Sequence, residues 1–327
     1  MKKWVIGFLV VVLSLGVCSS ALAKGLQDVP EVYALGADEM ASITAIVGER
    51  VCTGATAGTT GLAYAYESDT VREDLLAYIN YVSTLGFVVI RGASLSEPGE
   101  GELSALGKDA GILLRLRLTW SLEGYHVQLV KIDMSQFSAQ PKERTPAQIA
   151  GAAALNQGLV DEALRVFTEA LEADASVAVH HAGRAYALSI MGAFTEAMES
   201  IDTALALDPN CWEAYNARGT VSYYQEDLAS AAQDFSLATN LSPDDPEPYI
   251  NLAYAQRAQG ALEDMLITGV FGLCAFPESD ELWMLYGNAQ YGIGYEELAL
   301  AAYEKALSFG NYTAEDLTGY TALIGQE

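Results

Sequence analysis

Two hydrophobic periods divide the chain. Through residue 134 apolar side chains recur at every second position in short runs, the period of a strand; from residue 144 they mark one side of successive helices. In the first stretch Leu62, Tyr64 and Tyr66 alternate with smaller residues. Thr70-Val71-Arg72-Glu73 has the form of a capping box, and Val71, Leu75, Tyr78, Ile79 and Val82 share one face of the helix it predicts, which Gly86 stops. Residues 87–91 read as a buried strand and 92–111 as a polar, Gly-rich loop. Leu114, Leu116, Leu118 and Trp120 then alternate with Arg115, Arg117 and Thr119, ahead of a two-residue turn at Glu123-Gly124. That turn sets Trp120 opposite Val127 and Leu118 opposite Leu129. Over residues 42–53 a further hairpin competes with a helix at 40–47. The pattern predicts a small α+β domain over residues 24–134, an antiparallel sheet covered by one helix, and a linker at 135–143.

From Arg144 the sequence returns on itself every 34 residues, giving units 144–177, 178–211, 212–245, 246–279 and 280–313. Pro209, Pro243 and Pro277 keep the phase, as do Gly158, Gly192, Gly260 and Gly294, with Glu226 in the one gap. Each first helix carries a small residue at Gly151, Ala185, Gly219, Ala253 or Gly287, where helix backbones approach closely. Each second helix carries Ala163, Ala197, Ala231, Met265 or Ala299, then a bulky residue at Phe167, Ile201, Phe235 or Tyr303 on the same face. Ala170, Ala204, Ala238, Gly272 and Ala306 follow three residues on. The proline column ends the second helices, because its ring cannot continue the ladder.

These columns resemble the tetratricopeptide repeat family over 170 of the 327 residues. The first unit departs with Ala147, where the others have His181, Tyr215, Tyr249 and Trp283, and with Ala175 in place of proline. Met265, Gly269 and Gly272 predict looser packing in the fourth unit, a point of flexure. After the fifth, Thr313 is expected to cap a short helix bearing Leu317, Tyr320 and Ile324, with Glu315, Asp316 and Glu327 keeping the end polar over residues 314–327.

The resemblance implies an all-α solenoid, a right-handed superhelix of helical hairpins whose first helices line a concave groove. Carried onto this register, it places Tyr186, Thr220, Tyr254 and Asn288 in one groove column and Ser189, Tyr223, Arg257 and Tyr291 in another. Asn216 and Ile250 fall in a third, with Glu213, Glu247 and Glu281 near the rim. Tyr186, Asn216, Tyr223, Tyr254, Arg257, Asn288 and Tyr291 are therefore the candidate binding residues. Tyrosine buries a large area with a polar tip and asparagine can bond a peptide backbone, which suits an extended segment; packing between helices is the competing role for each tyrosine. Some members of the family grip a C-terminal carboxylate with Lys and Arg on first helices. This array has 24 acids, 6 bases and no lysine on those helices, so a neutral or basic segment fits better than an acidic tail. Arg184 and Arg218 share a column, and Asp234 is placed to pair with Arg218.

Charge and chemistry narrow the function further. Lys2 and Lys3, the apolar run at 4–13 and Ala21-Leu22-Ala23 form a signal peptide over residues 1–23, too short in its apolar part for a membrane span. Branched Val17 before Cys18 does not fit a lipoprotein site. Cleavage would move the net charge from −26 to −28 and leave an exported protein with no integral membrane segment. Such a surface repels nucleic acid, and no basic run offsets it. Cys52, Cys211 and Cys274 are odd in number and widely spaced, as buried free thiols would be. His126 lies on the polar face of a strand, and His180 and His181 are adjacent, a poor chelating pair. No phosphate loop, nucleophile elbow or paired Cys motif occurs, so no catalytic, metal or cofactor site is expected. Three functions compete. The first is an exported protein or peptide binder, one version of which serves cell-envelope assembly. The second is a small-ligand or cell-wall binding N-terminal domain whose repeats mediate oligomerisation. The third is an enzyme using carboxylates of the sheet domain.

Overall fold

The structure, a computed structural model, describes residues 31–58, 60–91, 95, 97–134 and 143–324. The signal peptide and nearly all of the linker lie outside these residues. Strands β1 (Val32–Leu35) and β2 (Asp38–Ala41) form a hairpin, followed by helix α1 (Ile43–Val47) and strands β3 (Val51–Ala57) and β4 (Gly61–Glu67). Helix α2 (Val71–Ser83) leads to β5 (Val88–Arg91), β6 (Gly99–Leu106), β7 (Ile112–Trp120) and β8 (Gly124–Asp133). The larger sheet is antiparallel, in the order β3-β4-β8-β7-β6-β5. Leu62, Tyr64, Tyr66, Leu116, Leu118, Val127 and Leu129 turn inward from it onto Leu75, Tyr78 and Val82 of α2. Tyr33, Leu35, Met40 and Ile43 complete the cover, so the first hairpin and α1 assist the one long helix.

Four local expectations change. The segment 92–111 holds strand β6, not only loop: Leu103 and Ala105 are buried, and pairing on both sides by β5 and β7 supplies the hydrogen bonds that its glycines do not favour by propensity. β5 is an edge strand: Phe87 packs into the sheet–helix core and Val88 against α10, but Val89 is exposed, so the run 87–91 is buried only in part. Thr70 precedes α2 without capping it. Its hydroxyl instead donates to Asp74, whose carboxylate also takes Arg50 (2.6 and 2.7 Å), Ser68 (2.7 Å) and Tyr125 (3.1 Å). Finally, Trp120 pairs with Tyr125 and Leu118 with Val127, because the turn is Leu122-Glu123 and Ser121 N–H donates to the Gly124 carbonyl. Gly124 belongs to β8, where a side chain would run into the Tyr66 carbonyl of β4. The inward face survives the change, since the register moved by an even number of residues.

Ten helices follow in five hairpins: α3 (Pro146–Asn156) with α4 (Val160–Ala173), α5 (Ala178–Ile190) with α6 (Phe194–Leu207), and α7 (Trp212–Tyr224) with α8 (Leu228–Leu241). α9 (Pro246–Gln259) with α10 (Leu262–Ala275) and α11 (Asp280–Ile293) with α12 (Glu296–Ser308) complete them. The small column accommodates rings from the second helix of the same unit. A Cβ on Gly219 would lie 2.7 Å from Phe235, and one on Gly287 2.7 Å from Tyr303. Where the column holds Ala185, its partner is the slimmer Ile201. The polar tips of the bulky first-helix column tie down the preceding loop: Tyr215 bonds the Pro209 carbonyl (3.0 Å), Trp283 that of Pro277 (2.9 Å), and His181 that of Ala175 (2.9 Å).

The fourth unit is not loose. Tyr286 of α11 fills the space above Gly269, where a Cβ would meet its ring at 2.7 Å, and Leu282 with Tyr249 fills that above Gly272. The outer side of α10 then packs on the sheet: Val88 and Leu113, flanked by Ile90, Leu106 and Ile132, join Val270, Leu273 and Cys274 in one buried cluster. Cys274 Sγ lies 3.6 Å from the Ile112 carbonyl. The two parts of the molecule thus share a core. At the far end Thr313 and Asp316 form a reciprocal cap on a single 3-10 turn, and helix α13 (Thr318–Ile324) begins only afterwards, with Leu317 buried and Tyr320 edge-on to Tyr303.

Candidate binding groove

Side chains of α3, α7 and α9 reach first helices one or two units away. Gln148 of α3 donates to Glu213 of α7 (3.1 Å), Asn216 of α7 to Glu247 of α9 (2.9 Å), Asn251 of α9 back to Asn216 (3.0 Å), and Tyr254 of α9 to Glu281 of α11 (2.8 Å). Arg144, just before α3, forms an ion pair with Asp245, which caps α9 by accepting from Glu247 N–H. This pair ties the first unit to the start of the fourth. Between these contacts lies a cleft of about 80 Å³ walled by Phe167, Tyr186 and Trp212 and edged by Glu213, Asn216 and Glu247.

Its electrostatics follow from burial. Glu247 is pushed up to about 7, first by loss of water and then by the charges of Asp245 and Glu213; Arg144 and the Asn216 bond oppose the rise. Burial likewise raises Tyr186, so its hydroxyl remains a neutral donor and acceptor, and it shares a hydrogen bond with Asn251. Cys211, at the N-terminus of α7, is pushed up to about 12 by burial and by Glu213, which keeps its thiol protonated and unreactive.

The candidate residues occupy different settings. Tyr186 lines the cleft. Asn216 is 2% exposed and fixes the floor, orienting Glu247. Tyr223 is half-buried, edge-on to exposed Tyr224. Tyr254 is half-buried and bonded to Glu281, while Arg257 is exposed nearby. Asn288 accepts from Tyr303 (2.9 Å), and Tyr291 is half-buried beside the same cluster. Arg218 makes a bidentate pair with Asp234 (2.6 and 2.8 Å) and stacks over Tyr215. Glu213 and Glu247 both line the cleft. Arg144, Gln148 and Asn251 also belong to the site. Gln148 shares the repeat column of Asn216 and Ile250, which is the sequence signal for it; Arg144 lies in none of the groove columns, and Asn251 is one position beyond the Asn216 column.

Other polar residues stay apart from this site. His180 is buried, bonded to Thr145 (3.0 Å) and held below its ordinary range by desolvation; His126 is exposed. Among the described residues no cluster of three or more His, Cys, Asp or Glu is arranged to hold a metal, and no helix is long and apolar enough to cross a membrane. Cys52, Cys211 and Cys274 are buried free thiols.

No family model matches the chain. Human Protein O-mannosyl-transferase TMTC1 is 27% identical over 161 residues, 48% of this chain and 18% of that protein, so the chain spans under a fifth of its length. Among solved structures, the thermophilic TPR protein TTC0263 of Thermus thermophilus covers 54% of this chain and 97% of its own at 18% identity, with a TM-score of 0.46. PilF of Pseudomonas aeruginosa covers 55% and 82% at 21% identity and a TM-score of 0.46. MamA covers 49% and 93% at 22% identity and a TM-score of 0.39. On its own 34-residue register and the five helical hairpins that realise it, the second half of this chain, α3 to α12, is a tetratricopeptide-repeat array.

Proposed function

We propose that the protein is an interaction module working outside the cytoplasm, whose concave groove holds an extended neutral or basic segment of another polypeptide, with cell-envelope assembly as one setting. The observation behind this reading is the cleft itself, with aromatic walls and an amide and carboxylate floor, lined mainly by the first helices of the array. Amides and tyrosine hydroxyls at helical spacing can meet a peptide backbone, while the acidic balance disfavours an acidic partner. No catalysis is assigned to it. Export rests on the N-terminal leader, and N-terminal sequencing of the protein from its host should begin at Lys24; a chain beginning at Met1 or Lys2 would refute it.

Photo-crosslinkers at Tyr186 and Tyr254 in the native host test the groove. A discrete polypeptide adduct at both positions is the expected result; none above background at either would count against it. The second reading, a ligand-binding sheet domain, has an open depression beside Trp120, Tyr125 and His126 to work with. Deleting residues 24–134 cannot separate the two readings, because it would strip the cover from α10. Substituting His126 leaves the array intact and is the cleaner comparison.

A further inference from the structure

We infer that one stripe of α3 is a self-association surface, on which a second copy of this chain lays its own α3 across a two-fold axis. The stripe is Pro146, Ile149, Ala150 and Ala153, all exposed, with Ile149 at 59%. It is separate from the groove, whose cleft takes Gln148, Ala152 and Leu155 from the same helix. The repeat frame shows what such a stripe does elsewhere. Ala153 corresponds to Ala187, Val221, Ala255 and Ala289 in the later units, each at most 2% exposed. Pro146 corresponds to His180, Ala214, Pro248 and Leu282, which are also buried. The second helix of the preceding unit covers this side: Ala187 shares a core with Ala163 of α4, Val221 with Ile201 of α6, Ala255 with Ala231 of α8 and Ala289 with Met265 of α10. No unit precedes α3. It offers to water the seat that the other four first helices fill with a helix, whereas an end repeat adapted to solvent carries a polar outer face.

Length, topology and charge select the occupant. The linker residues 135–142 are too few, because the second helices have 13 or 14 residues and need a turn besides. Another copy cannot bring its last second helix, α12, since α13 already packs there with Leu317 buried and Tyr320 edge-on to Tyr303. Head-to-tail stacking is thereby closed, and a symmetric pair of α3 helices remains. Residues 145–160 carry no charge in a chain of net charge −26. A basic partner would be better served by acids on this face; an uncharged one suits a partner as negative as the chain itself. The stripe is also self-complementary. In an antiparallel crossing about a point between residues 149 and 150, Ile149 of each copy meets Ala150 of the other and Pro146 meets Ala153, the alanines letting the backbones approach. One helix pair is a small interface, below about 1,200 Å² in total, so association in the micromolar range or weaker follows.

Sedimentation of the chain purified from its host, followed across the micromolar range, tests this. The mass should rise from one chain to two with concentration. I149E/A153E should move that transition to at least about tenfold higher concentration, and because both positions are exposed the urea midpoint of the dilute monomer should not change. M191E/L207E, the same charge change at exposed apolar positions elsewhere in the array, should leave the transition in place. The native thiols at Cys52, Cys211 and Cys274 are buried, so A150C supplies an accessible one, and under mild oxidation it should link two chains far faster than M191C does. A single-chain mass at every concentration overturns the proposal. So does a dimer that survives I149E/A153E or is equally lost in M191E/L207E, and so does A150C linking no faster than M191C. A photo-crosslinker at Ala150 that captures only a different polypeptide in the host overturns the self-pairing and gives the face to a foreign helix.

Discussion

Glu247 gains a proton over a range where most carboxylates have none. Its ordinary value is near 4.5 and its folded value about 7, so between those pH values the folded protein holds more protons than the unfolded chain. Stability contributed by this site therefore falls as pH rises from about 4.5 to 7. Replacing Glu247 with Gln should remove that slope and stabilise the protein at pH 8 by on the order of 1 kcal/mol, after discounting for partial exposure, with little change at pH 5. Urea midpoints at the two pH values would show it; an equal shift at both would contradict the assignment. Glu226 offers a second case. It stands where four other repeat turns have glycine, and it adopts their backbone conformation, with φ of 63°. A side chain in that region costs about 1–2 kcal/mol, part of which glycine returns through its looser unfolded chain. E226G should stabilise the protein by about 0.5 kcal/mol in chemical denaturation, and a loss of stability would argue against the strained turn.

At the scale of elements, the repeat columns work as matched pairs. Gly219 faces Phe235 and Ala185 faces Ile201, so G219A alone should cost about 1–3 kcal/mol through overpacking. Adding F235I, which copies the second unit's pairing, should recover most of that loss in a double-mutant comparison; additive losses would deny the coupling. Most of this was legible, because a fixed 34-residue frame lets each column be read five times. Strand β6 was hidden because Gly99 and Gly101 lower its intrinsic preference and its pairing partners supply what propensity withholds. The turn before β8 was misjudged because Gly124 is required by β4 across the sheet, a contact invisible from neighbouring residues. Helix α10 did leave a trace: residues 265–276 carry no charge, whereas α4, α6 and α12 each place acids toward solvent. V270D should place a charge within the shared core and cost at least about 3 kcal/mol, read as a lower denaturant midpoint and earlier proteolysis of both halves.

For the molecule as a whole, Arg144 pairs with Asp245, which caps the first helix of the fourth unit, and the sheet packs on α10 of that unit. The candidate groove was legible as columns, since periodicity assigns each residue a face. Its depth was not, because depth depends on how far one unit rotates relative to the next, and that angle accumulates from small packing differences which no single residue announces. The shared core also constrains how the protein comes to be made. Val88, Ile90, Leu106, Leu113 and Ile132 leave the ribosome well before their partners Val270, Leu273 and Cys274, about 140 to 190 residues further on. At roughly 5–20 residues per second that strip of the sheet waits about 7–40 s uncovered during synthesis, so an early-made part of this chain depends for its protection on one of the last.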